Sequence, residues 1–161
     1  MRKVLIAGVG NRFFGDDGFG IEVARRLREQ ALPPGTQVME YGMRSVDLAV
    51  ELLSPPELLI LIDVVQRGGP PGTLYVIDPA SELEAAHHSW CGDAMGMNLS
   101  SVFSSLEAMG GRIPRTRILG CEPGYFSEGI QLSAPVRRTV RPAIDLIRRL
   151  IAREITNHEY A

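Results

Sequence analysis

The stretch VLIAGVGNRFFGDDGFG, residues 4–20, decides the fold. Val4 to Val9 is a short apolar run that ends in glycines, as a buried strand does when it feeds a tight turn. The turn has the look of a nucleotide loop but carries the wrong charge. A phosphate-cradling loop offers N–H groups and a helix N-terminus to an anion, and the adjacent carboxylates of Asp16 and Asp17 would repel it. The same geometry would welcome a cation.

Outward from this stretch, the composition sets bounds. The chain has 161 residues, 45% hydrophobic and 22% charged, which fits a single domain over residues 1–161 with a full core. A net charge of −2 gives no electrostatic reason to expect nucleic acid. No apolar run reaches the roughly 20 residues of a membrane span, and the apolar stretch at the N-terminus is too short for a signal peptide. We therefore expect a cytoplasmic, monomeric protein with no membrane partner. Cys91 and Cys121 stand 30 residues apart without metal-ligand spacing, so reduced, buried thiols are expected.

Strand and helix periods alternate along the chain, the pattern of an α/β fold with a mostly parallel sheet. The expected arrangement is a three-layer sandwich, with a twisted sheet of about five strands and helices on both faces. Ile21, Ala24, Leu27 and Ala31 repeat at helical spacing, and Pro33-Pro34-Gly35 closes that helix. Thr36 to Tyr41 reads as the second strand. Ser45 is placed to cap a short helix through Leu53. Leu58 to Val65 is nearly all apolar, as a strand buried on both faces should be, except for Asp63 near its end. Thr73 to Asp78 follows a Gly/Pro turn closely, which suggests an antiparallel edge. Residues 79–98 show no clean period and crowd together His87, His88, Trp90, Cys91 and Asp93, the composition of a functional loop. A helix over Leu99 to Met109, a strand over Arg115 to Cys121 and a terminal amphipathic helix from Ser133 complete the chain. Pro142 should kink or split the last helix.

In open α/β sheets the site lies beyond the C-terminal strand ends, near a topological switch point. Asp16 and Asp17 follow the first strand, Asp63 ends the third, and Glu122 follows the last, so three strands send carboxylates to one edge. Each acid also has a structural alternative. Asp17 could cap the helix starting near Gly18, and Glu122 could belong to a turn. Asp63 is harder to explain away, because a carboxylate ending an apolar strand needs a partner or a metal.

These residues together resemble the hydrogenase maturation proteases, endopeptidases that trim the C-terminus of the nickel–iron hydrogenase large subunit. GVGNRFFGDDGFG resembles the family's GxGNxxxxDxGxG signature, LLILIDVV its strand ending in a buried Asp, and RILGCEPG its late strand with a Cys-Glu-Pro turn. VRPAIDLIRRLI resembles its proline-containing last helix. The resemblance implies a peptidase of aspartic type acting on the large-subunit precursor, with nickel carried by that substrate and no organic cofactor. It implies metal contacts from Asp17 and Asp63. The family's third ligand is a His, and the matching position here, in DAMGMN, is Met95.

A thioether suits Cu(I) better than Ni(II), which leaves three readings open. The ligand has moved to His87 or His88, Met95 is a weak ligand or none, or the fold survives without activity. With no Ser/His/Asp triad and no HExxH motif visible, the expected chemistry is polarisation by the nickel with Asp16 taking a proton. Two other classes remain: a non-catalytic factor that docks the precursor, and a Rossmann-like nucleotide-binding module using Gly8, Gly10 and Glu40. The last lacks the third glycine, since Phe13 stands in its place.

Overall fold

The computed structural model describes residues 2–80 and 99–159. Five strands form one sheet: β1 Val4–Val9, β2 Thr36–Gly42, β3 Leu58–Val64, β4 Leu74–Ile77 and β5 Thr116–Cys121. Their order is β2-β1-β3-β5-β4, with every pairing parallel except β4 against β5. The helices are α1 Phe19–Arg28, α2 Ser45–Glu51, α3 Leu99–Ala108 and α4 Ala134–Glu159.

The two-residue period of the central strands divides the core in two. Val4 and Ile6 of β1, with Leu58, Ile60 and Ile62 of β3, face α1 and α4. Leu5, Ala7 and Val9, with Leu59 and Leu61, face α2 and α3. Every residue of β1 is buried, and Asp63 alone of β3 is not. Both strands are covered on both faces, so both read as continuous apolar runs. The expected α/β sandwich with helices on both faces is the observed one. The connection from β3 to β4 is too short for a crossover helix, which accounts for the antiparallel edge.

The sequence expectations hold for all five strands to within a residue or two. Three helix details differ. α1 stops at Arg28, because Leu27 is its last buried position and Ala31 is exposed. Ser45 does not cap α2: Arg44 occupies the N-cap position, with no side-chain cap bond, because the Tyr41–Arg44 turn runs straight into the helix. Pro142 does not split α4. It deprives the Arg138 carbonyl of its usual donor, but both residues are exposed, so water can take the donor's place.

Order 2-1-3 puts the topological switch point between β1 and β3, and α1 leaves from there. α1 meets the strand ends at backbone distance, which only glycine allows. A Cβ on Gly20 would overlap the carbonyl oxygens of Ile62 and Val9, and one on Gly8 would overlap the Gly20 carbonyl. Because the obstructing atoms are backbone, they cannot rotate away. Gly20→Ala is therefore expected to cost about 3 kcal/mol or to prevent folding, measured as the midpoint of urea unfolding against wild type.

Candidate functional site

β1 runs into Gly10, whose φ of 114° is open chiefly to glycine. Beyond it the loop consumes its own donors. Gly10 donates its N–H to the Gly42 carbonyl at 3.0 Å, Gly15 to Gly129 at 3.0 Å and Asp16 to Tyr125 at 3.2 Å. Asn11 donates to Asp17 Oδ2 at 2.9 Å, while its own Oδ1 accepts the Phe13 N–H at 3.0 Å. Backbone donors that a nucleotide loop would aim at phosphate are thus engaged inside the protein. Glu40, the candidate ribose ligand of that reading, is paired with Arg28 at 2.7 Å.

Asp17 sits in a single 3-10 turn, Gly15–Gly18, and is 4% exposed. It does not cap α1, whose N-cap is Gly18 with no side-chain cap bond. Instead its carboxylate turns over Gly10 toward the end of β3. A methyl group placed on Gly10 would lie 3.2 Å from Asp17 Oδ1 and 3.3 Å from Asp63 Oδ1. The nearest obstruction to that methyl is the backbone carbonyl oxygen of Asp17, so glycine here lets the turn carrying Asp17 close over the end of β1 and brings its carboxylate and that of Asp63 to one small volume.

The electrostatics follow from that approach. Burial raises the Asp17 pKa above its ordinary value, partly offset by the Asn11 N–H. Asp63 is pushed well above its ordinary value, first by loss of water around the carboxyl and then by the charge on Asp17. Its own bond from the Val64 N–H, at 2.8 Å, opposes the shift. Two partly desolvated carboxylates that each disfavour ionisation need either a proton or a cation between them. Among the described residues no three His, Cys, Asp or Glu side chains form a complete metal cluster. Met95, His87 and His88 lie outside the described residues.

The neighbouring acids serve a different purpose. Asp16 is fully buried and accepts four hydrogen bonds. Gly124 N–H, Tyr125 N–H and Ser133 Oγ–H donate to its Oδ2 at 2.6, 3.0 and 2.7 Å, and Ser133 N–H donates to its Oδ1 at 2.6 Å. This carboxylate, expected to take a proton, is instead saturated by donors, and it ties the first loop to the segment that leads into α4. Glu122 is 5% exposed and holds the turn after β3 through Arg67 N–H at 2.9 Å, Gly69 N–H at 2.8 Å and Tyr75 O–H at 3.0 Å. The turn alternative for Glu122 is the arrangement seen. Cys121, next to Glu122 in sequence, is a buried free thiol whose pKa is pushed up to about 12, first by burial and then by the charges of Asp16 and Glu122. Such a thiol is no nucleophile at neutral pH. Cys91 lies outside the described residues.

Sequence reading missed Asn11, Gly124 and Ser133. The G-N pair before a turn was a signal for Asn11, whose short side chain closes an Asx turn. Ser133 lies 117 residues from Asp16, and nothing local marks their contact.

The HycI family model, hydrogenase maturation protease, matches residues 21–150, a span that contains Asp63 and begins just after the first loop. The hydrogenase expression/formation protein HupM of Azotobacter chroococcum is 30% identical over an alignment covering 88% of this chain and 68% of HupM. A crystal structure of the hydrogenase 2 maturation peptidase from a Thaumarchaeota archaeon matches with TM-score 0.69 at 28% identity, over 94% of this chain and 99% of that one. The hydrogenase maturating endopeptidase HybD of E. coli matches with TM-score 0.80 over 96% of this chain and 94% of that one. Its 22% identity speaks for the fold.

Opposite stability effects are expected for the two kinds of acid. A carboxyl whose folded pKa lies above its ordinary 3.8 binds protons more readily folded than unfolded, so its contribution falls as pH rises through that window and the deficit is complete above it. Asp63→Asn should therefore raise the metal-free Tm near neutral pH, with the gain vanishing below about pH 4. Asp16→Asn should destabilise by about 2–4 kcal/mol, because it turns an amide N–H₂ toward buried donors. Thermal denaturation of both variants across pH checks the pair of signs.

Proposed function

The chain belongs to the hydrogenase maturation protease family, and from that membership we propose that it cleaves the C-terminal extension from a nickel–iron hydrogenase large-subunit precursor after nickel insertion. The nickel is part of the substrate, and Asp17 and Asp63 read its presence. The observation that supports this most is the convergence of the two carboxylates over Gly10 at the switch point, where burial disfavours both charges and the charge on Asp17 adds to the disadvantage of Asp63. A divalent cation delivered by the precursor removes that disadvantage. A precursor without it leaves the pair unsatisfied.

In this reading the substrate's nickel polarises the scissile carbonyl or a water beside it. An oxygen of Asp17 or Asp63 not facing the ion accepts the proton of the attacking water and returns it to the departing amine. This is aspartic-type hydrolysis in which the acids act with a substrate-borne ion. Asp16 is a positioning residue: its four hydrogen bonds fix the loop on which Asp17 stands. The third donor to the ion comes from Met95 or, alternatively, His88. Comparing Met95→Ala with His88→Ala in one cleavage assay identifies which, since loss of that donor should slow cleavage while loss of the other should not.

A second reading draws support from Met95 at the position of the family His: a factor that docks the precursor without cutting it. It differs in outcome, since docking alone leaves the precursor's mass unchanged.

Asp63→Asn and Asp17→Asn are each expected to lower cleavage of nickel-loaded precursor by about two orders of magnitude or more, read by intact-protein mass. Normal processing by Asp63→Asn would refute the assigned role.

A further inference from the structure

A groove of about 330 Å³ lies beside the first loop, between α1 and the segment leading into α4. One bank carries Arg12 and the Glu22/Arg25/Arg26 cluster; the other carries Ile130 and Arg137. The two banks are joined by the Asp16 hydrogen bonds, since Asp16 stands in the first loop and Ser133 just before α4. Gly18, the residue after Asp17, lines the groove. The groove therefore opens next to the element that presents Asp17.

Its charge runs against that of the chain as a whole. The two acids that line it are already paired, Glu22 with Arg25 at 2.9 Å and Arg26 at 2.8 Å, and Glu40 with Arg28 at 2.7 Å. Arg12 and Arg137 are exposed and have no carboxylate partner among the described residues. Arg12 leans over the Phe13 ring at 5.3 Å. The net charge of the protein is −2, so two guanidinium groups around one concavity, with no carboxylate partner among the described residues, form a local cationic field within an acidic molecule. Apolar surface accompanies it: Ile130 is 66% exposed and Phe13 62%. The two segments are held side by side by the Gly129 N–H to Phe13 carbonyl bond at 2.9 Å.

Resting on the endopeptidase reading above, we propose that this groove is a docking subsite for an acidic segment of the precursor that also carries an apolar side chain. Arg12 and Arg137 would take its carboxylates, and Phe13 and Ile130 its apolar group. Seating such a segment here brings the neighbouring substrate chain alongside the loop that holds Asp17. Guanidinium forks suit carboxylates, and the exposed Ile130 in the groove, with Phe13 beside Arg12 at its margin, selects against a purely ionic ligand.

The test measures KM and kcat separately for the nickel-loaded precursor of the same host, with wild type, the double variant Arg12→Ala/Arg137→Ala, and Arg138→Ala as an exposed control outside the groove. The double variant should raise KM about tenfold with kcat held within about twofold, and the control should change neither. In parallel, fluorescence anisotropy follows a short labelled peptide of alternating glutamate and leucine, with a glutamine/leucine peptide for comparison. The acidic peptide should bind wild type and lose affinity for the double variant. An unchanged KM, or equal binding of both peptides, would overturn the subsite. Tighter binding of an oligothymidylate than of the acidic peptide would overturn it in favour of nucleic acid. If wild type fails to cut the precursor, the endopeptidase reading fails, and the peptide arm still decides the groove.

Discussion

Two like charges held together at the edge of a sheet govern the rest of this molecule. Asp17 and Asp63 come from segments far apart in sequence, yet the β1–β3 pairing and the bare Cα of Gly10 place their oxygens around one small volume. If both were ionised, a site shielded from solvent would make them repel one another several times more strongly than water does. The core has to bear this strain. β1 and β3 are buried on both faces, and α1 is locked to their ends through Gly8 and Gly20, so the acids cannot drift apart to relieve it. A rigid frame that maintains an electrostatic deficit is suited to detecting whatever removes it. The ion that a mature precursor brings would do so.

The neighbouring residues Asp16 and Asp17 illustrate how environment assigns roles to identical side chains. Asp16 faces inward to four donors and joins two distant segments; Asp17 receives one N–H and turns toward another acid. The first is satisfied and therefore structural. The second is undersupplied and therefore available. Glu122 belongs with the first kind, since its donors hold the turn between β3 and β4. Together these two satisfied acids fix the rim around the unsatisfied pair.

Much of this frame was legible in the sequence because it follows from local pattern. Continuous apolar runs marked β1 and β3, a single Asp63 broke one of them, and glycines next to acids argued against a phosphate. What stayed hidden depends on contacts across the chain. Asp16 and Asp17 are indistinguishable as letters, and only the meeting with Ser133 separates them. The fate of Pro142 rested on whether the Arg138 carbonyl was exposed, which periodicity alone does not say. Ser45 was an adequate cap by type, but the preceding turn started the helix one residue earlier than a cap would require.

The most direct measurement incubates the protein with nickel-loaded and nickel-free forms of the large-subunit precursor from the same host and follows both by intact mass. Loss of the C-terminal extension from the loaded form alone is the expected result. Equal cleavage of both forms, or of neither, would contradict the view that the Asp17–Asp63 pair reads a cation carried by the substrate.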